Sequence, residues 1–174
     1  MPWSELVSVV QASLSDVNSV HDFIIDAWKE AGPTAPGWTG ATEENVNGLA
    51  RPDHIRRLLS SRKTRIFLAK QGKEVQGFAA TREVDEHTSE IAGIIVRERY
   101  VGRGVGTALL RAALAAIWLG RCTEVIVKTE RINERATRFY EKNGFAKVGE
   151  EQENVDGTKI DLVILSKPRD SAKL

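Results

Sequence analysis

Residues 90–110 read EIAGIIVRERYVGRGVGTALL: an apolar run, a short polar link, three glycines at alternate positions and the start of a leucine-rich segment. The run from Glu90 to Val96 has the apolar, β-branched character of a strand. From Gly106 the period changes, because Leu109, Leu110, Ala113, Leu114 and Ile117 fall on one helical stripe ended by Gly120. The segment 101–106 (VGRGVG) therefore lies at a helix N-terminus, where backbone amides have no intrahelical acceptor and the helix dipole favours an anion. Glycines leave no Cβ between those amides and an approaching phosphate, and Arg103 adds a charge, so a pyrophosphate is the natural guest. The Walker loop is excluded, since no Lys-Ser or Lys-Thr pair follows the last glycine. The dinucleotide fingerprint fits poorly, with Thr107 where its third glycine belongs and residues 97–101 intervening after the strand. A glycine-rich turn that merely starts a helix is the alternative.

Outward from this centre the chain alternates α and β. Residues 6–10 (LVSVV) predict a first strand. Ser13 and Asp16, spaced like a capping box, open a helix with Val17, Val20, Phe23, Ile24, Ala27 and Trp28 on one face. Residues 32–40 (GPTAPGWTG) predict a loop holding Trp38. Thr42 can open a further helix, but Pro52 favours restarting one there with Ile55, Leu58 and Leu59 inward. Residues 65–70 and 74–84 predict a hairpin about Gln71-Gly72. A strand at 125–127, a helix capped by Asn133 and stopped by Gly144, and strands 145–150 and 160–165 joined through Asp156-Gly157 complete the order.

With 174 residues the chain suits one domain over 1–174, with a polar tail from about 168. Twenty-five Lys and Arg against 24 Asp and Glu leave a net charge of +1, which favours neither nucleic acid nor an anionic membrane. One cysteine, Cys122, forms no internal disulfide, and the N-terminus lacks the order of a secretory signal, so a cytoplasmic protein is expected. The longest apolar run, 112–119, is far short of the roughly 20 residues of a membrane span. His21, His54 and His87 do not cluster, and no metal is expected.

The glycine segment, the strand ending at Val96, the five-residue link and the Leu109-Leu110 helix resemble the GCN5-related N-acetyltransferases (GNAT), whose signature is Gln or Arg, two residues, Gly, one residue, then Gly or Ala. A second block of that family follows in NERATRFYEKNGF, residues 133–145, with Asn133, Ala136, Phe139, Tyr140, Gly144 and Phe145 in place. Two departures stand out: Val101 replaces the usual Gln or Arg, and Glu98 stands where many members carry proline. The first removes a side-chain contact and leaves the backbone amides.

The resemblance implies a mixed α/β (α+β) fold with a central, largely antiparallel sheet flanked by helices. It implies transfer of an acetyl group from acetyl-CoA, as co-substrate, to a primary amine of a small molecule or peptide by direct attack, and leaves a homodimer open. Carried over by residue, Ile94, Ile95 and Val96 would pair through their backbone with the pantetheine arm. Gly102, Arg103, Gly104, Val105, Gly106 and Thr107 would cradle the pyrophosphate, Asn133 would hydrogen-bond the arm, and Tyr140 would stand near the sulfur as the acid for the departing thiolate. Glu90, six residues before Val96 where histone-acetylating relatives place their catalytic glutamate, is the preferred base; Glu83, Asp85 or a water are reserves. Relatives acting on ribosomal-protein N-termini keep a glutamate five residues before the asparagine, where this chain has Lys128. Plainer roles stand beside these: an N-cap for Asn133, a core aromatic for Tyr140, an exposed strand-start charge for Glu90. The acceptor would meet 32–40 and 151–158. There Trp38, Glu151, Glu153 and Asp156 either attract a cationic amine or are a loop tryptophan and solvated charge. The rival from another class is a non-catalytic acyl-CoA-binding module, which would keep the glycines and need no acid.

Overall fold

The computed structural model describes residues 7–32 and 34–170; Leu6 of the expected first strand, Pro33 of the loop and the tail beyond Asp170 lie outside them. Among the described residues seven strands form one sheet in the order β1-β2-β3-β4-β5-β7-β6. They are β1 (Ser8–Gln11), β2 (Thr64–Gln71), β3 (Glu74–Glu83), β4 (Thr88–Val96), β5 (Glu124–Glu130), β6 (Ala146–Val155) and β7 (Thr158–Pro168). Every neighbouring pair is antiparallel except β4 and β5, which run parallel. Among the described residues five α-helices accompany the sheet: α1 (Val17–Ala31), α2 (Glu43–Leu49), α3 (Pro52–Ser60), α4 (Val105–Trp118) and α5 (Glu134–Lys142).

Side-chain alternation along the strands divides the core into two layers. Ile66 and Leu68 of β2 face one way and pack with Val17, Val20, Phe23 and Ala27 of α1 and Ile55 of α3. Phe67 and Ala69 face the other way and pack with Leu109, Leu110, Ala113 and Ile117 of α4 and Tyr140 of α5. The chain enters α1 through the expected reciprocal pair, Ser13 with Asp16, and Asp16 also accepts from Lys70 Nζ at 2.7 Å.

Thr42 and Pro52 each start a helix, so both readings of that region hold. Thr42 Oγ1 accepts from the Asn45 amide at 3.3 Å while Asn45 Oδ1 accepts from the Thr42 amide at 2.6 Å, a cap too local for periodicity to reveal in a seven-residue helix. The last three strands run longer than expected, because charged residues at their ends pair along the backbone as readily as apolar ones. The β6–β7 turn uses Asp156 and Gly157 at positive φ (48° and 87°), the two-residue geometry that suits a twisted hairpin.

Two local features shape the middle of the sheet. Ala92 bulges between Ile91 and Gly93, where the register against β3 shifts from Thr81↔Ile91 to Ala80↔Gly93; such an insertion bends its strand. At Gly77, a Cβ would meet Leu109 Cδ1 at 2.8 Å and Val105 Cγ1 at 2.9 Å, so only glycine lets the first turn of α4 sit this close to the sheet.

Candidate active site

Beyond the bulge β4 leaves β5. Their pairing runs from Thr88↔Glu124 to Ile91↔Val127 and stops, although both strands continue. The backbone edge of 92–96 that faces β5 therefore has no strand partner, and backbone left unpaired needs water or a guest. The opening belongs to a cleft of about 1180 Å³, lined by Ile94, Ile95 and Val96 on one side, Val127 and Lys128 on the other, and the glycine segment at one end.

The glycine segment stands at the start of α4, with a different task for each glycine. Gly102 and Gly104 adopt positive φ (78° and 84°), and a Cβ on either would meet nothing within 4 Å, so their amides stand open at the start of α4. Gly106 turns inward, where a Cβ would lie 3.5 Å from Phe139 Cε2 and 3.7 Å from Val96 Cγ2: it lets α4 pass close to α5 and the end of β4. Thr107 lines the cleft. Val105 is buried against Gly77, leaving only its backbone available to a ligand, and Arg103 lies with its guanidinium 5.8 Å from the Tyr100 ring centre, outside the cleft lining.

Asn133 and Tyr140 both line the cleft from α5. Asn133 is an N-cap, its Oδ1 accepting from the Ala136 amide at 3.1 Å, which leaves its Nδ2 about the cleft. Tyr140 is 5% exposed and edge-on to Phe139 and Phe145, so it is a core aromatic as well. Its hydroxyl has no hydrogen-bond partner among the described residues, and burial pushes its pKa well above the usual tyrosine value. The group thus stays protonated across the physiological range.

Glu90 is 8% exposed, which removes the reading of an exposed strand-start charge. It sits on the last paired part of β4, opposite Ile126, lines the cleft, and accepts from Arg82 Nη2 through one carboxylate oxygen. Lys128 lies nearby on β5, bonded to Glu151 Oε1 at 2.7 Å and held charged chiefly by that carboxylate. The reserve bases fall elsewhere. Glu83 is exposed at the far end of β3, and Asp85 is spent on the β3–β4 turn, accepting from the His87 and Thr88 amides at 2.8 Å each. Of the expected acceptor residues, Trp38 and Glu153 line the cleft, whereas Asp156 accepts from Asn45 Nδ2 at 2.7 Å outside it.

Sequence reasoning missed Glu130, the last residue of β5, which is 8% exposed, lines the cleft and binds Thr39. The bulge at Ala92 was also missed. The one signal for Glu130 was its place three residues before Asn133, in a segment whose alternation ends at a charge.

The chain belongs to the acetyltransferase (GNAT) family, whose model matches residues 18–145. It is 36% identical over 86 residues to N-alpha-acetyltransferase 30 of Xenopus laevis, a match covering 47% of this chain and 31% of that protein, so it spans about a third of that relative. It is 27% identical over 140 residues to the mycothiol acetyltransferase of Corynebacterium efficiens, covering 79% of this chain and 46% of that protein. The PaiA N-acetyltransferase of Thermoplasma acidophilum, crystallised with coenzyme A, superposes with a TM-score of 0.71 at 18% identity, covering 94% of this chain and 99% of that one, a likeness of fold.

Proposed function

We propose that the protein is an acetyl-CoA-dependent N-acetyltransferase acting on a primary amine of a small molecule or peptide by direct attack. The observation that carries this reading is the parting of β4 and β5 beyond Ile91 and Val127, in one cleft with open glycine amides at its end and Tyr140 and Glu90 in its walls. An extended arm fits an unpaired strand edge through its amides, and a pyrophosphate fits Gly102 and Gly104, where nothing fills the space in front of the backbone.

Acetyl-CoA supplies the thioester; the remaining work falls to the chain. Backbone amides near the end of β4 polarise the thioester carbonyl, a contribution of roughly 3 kcal/mol per well-placed donor. Glu90 takes a proton from the acceptor ammonium, directly or through a water, because only a neutral nitrogen has a lone pair to attack with. As the C–N bond forms and the C–S bond breaks, Tyr140 gives its proton to the departing sulfur, and the second proton of the attacking nitrogen passes through water back to Tyr140, leaving a neutral amide, a free thiol and one proton on Glu90 for release to solvent. Burial keeps the Tyr140 proton in place until the thiolate leaves, at the cost of a weaker donor.

Release of free thiol from acetyl-CoA, measured across polyamines, amino acids, lysine peptides and peptides with free N-termini, tests the reading. Turnover with at least one class is expected. Tight acetyl-CoA binding with no turnover on any of them would point instead to a binding module.

A further inference from the structure

The loop after α1 runs between the two strands that part. We propose that Glu130 is a positioning residue that clips this loop over the acceptor end of the cleft; which end receives the acceptor rests on the transferase reading, the clip does not.

Trp38 gives the loop one apolar contact, packing against the core layer built on α1 and β2, and few polar bonds hold the rest. Gly37 and Gly40 take positive φ (91° and 75°), and the backbone bonds are successive turns, Trp38 N–H to Ala35 O at 3.0 Å and Ala41 N–H to Trp38 O at 2.9 Å. The loop is anchored at its two ends, one on each parted strand. At the first, Arg97, immediately after β4, donates to Glu30 of α1, its Nε at 3.0 Å. At the second, Thr39 donates twice to Glu130 at the end of β5, its amide to Oε1 at 3.2 Å and its hydroxyl to Oε2 at 2.7 Å. Between the anchors Ala35, Pro36, Gly37 and Trp38 line the cleft.

The two anchors differ in kind. Arg97 and Glu30 neutralise each other, and Arg97 also lies 3.7 Å from Glu74. Glu130 has no cationic partner among the described residues, so its buried carboxylate is compensated through the one threonine. Leaving a charge in a protein wall without a counter-ion is costly, and hydrogen bonds to such a charge are correspondingly strong. The carboxylate thus secures Thr39 and the adjoining backbone, while neither Glu130 nor Thr39 is bonded to the glycine segment.

Hydrogen exchange of the Thr39 amide, calorimetric acetyl-CoA affinity and steady-state rates with spermidine, tryptamine and a tetrapeptide with a free N-terminus test this on Glu130→Ala and Glu130→Gln. In Glu130→Ala, Thr39 exchange should rise about tenfold or more and the KM of whichever amine turns over should rise by a similar factor, the equivalent of one lost hydrogen bond to a charged group. The kcat and acetyl-CoA affinity should stay within about twofold, the spread of a site left intact. Glu130→Gln, which keeps an acceptor for the amide, should restore most of both. Thr39→Val, removing the hydroxyl alone, should give a smaller change in the same direction and serves if Glu130→Ala does not fold. Unchanged exchange in Glu130→Ala overturns the clip, as does an acetyl-CoA affinity that falls in step with the amine. A loss of kcat that Glu130→Gln shares would overturn positioning in favour of a chemical role for the charge. If none of these amines, nor any amino acid or lysine peptide, turns over while Thr39 exchange rises, the clip stands and the transferase reading is what fails.

Discussion

Ile91 and Val127 are the last partners on the parallel seam between β4 and β5, and past them residues 92–96 and 128–130 run on without each other. The parting coincides with the extra residue at Ala92, which bends β4 where it leaves β5 while its pairing with β3 continues to Gly77↔Val96. The result is a strand edge in the middle of a sheet, where a guest can complete the hydrogen bonding that the fold leaves undone.

If that edge and the glycine amides hold acetyl-CoA, thermal unfolding should shift upward on adding it, by about 2.7 kcal/mol at a hundredfold excess over its dissociation constant. NAD and ATP should shift it much less. Gly104→Val should abolish the acetyl-CoA shift, since the side chain would project into the open space before the amides. It should also lower basal stability by about 1–2 kcal/mol, because φ of 84° strains a β-branched residue. A calorimetric titration on the folded variant separates the two effects. Retained binding would remove the phosphate role from this loop.

Tyr140→Phe keeps the ring against Phe139 and Phe145 and deletes a hydroxyl that has no partner among the described residues. Stability and acetyl-CoA affinity should stay near wild type, while turnover falls by roughly 10² or more if the hydroxyl is the acid. The wild-type rate should show no loss from this group up to about pH 10, because burial holds its proton beyond the usual range. Stability follows the same sign. With the folded pKa above the unfolded one, this tyrosine's contribution is complete below about pH 10 and is lost as the pH rises beyond it.

Glu90→Gln retains an oxygen for Arg82, whose side chain is 60% exposed and easily solvated, so the fold should tolerate it. Cofactor affinity should persist while the rate at neutral pH drops. Activity should partly return as the pH approaches about 10, where an alkylamine acceptor is neutral without help. Full activity at neutral pH would pass the proton to water or to another carboxylate of the cleft, such as Glu130 or Glu153, since neither Glu83 nor Asp85 lines it.

Asp16 has a lowered pKa, chiefly through its bond from Lys70 and then through the Ser13 amide. A carboxylate with a depressed pKa stabilises the fold above its ordinary value of 3.8 and loses that contribution as the pH falls through the lowered one. The stability gap between the wild type and Asp16→Asn, read by denaturant titration, should therefore be widest near neutrality and should narrow below about pH 4.

The elements with strong periodicity were legible in the sequence. The stripe from Leu109 to Ile117 is α4, and the glycines ahead of it stand at its N-terminus. The spacing of Asn133 and Tyr140 placed both on the cleft side of α5. Three things were not legible, each for a physical reason. A bulge such as that at Ala92 is one residue of register, which leaves an apolar run looking continuous. The Glu130 to Thr39 bond joins residues 91 apart in the chain, beyond any local pattern. Gly106 reads as a third phosphate glycine, yet its direction is set by Phe139 on another helix.

Gly77 carries a consequence for variation. It lies on β3, outside the cleft lining, yet any side chain there would press on Val105 and Leu109 and push the first turn of α4 outward. Gly102 and Gly104 ride on that turn. In a saturation screen scored by activity, Gly77 would therefore group with the glycines of the loop; scored by cellular abundance, it would part from Gly102 and join the buried leucines.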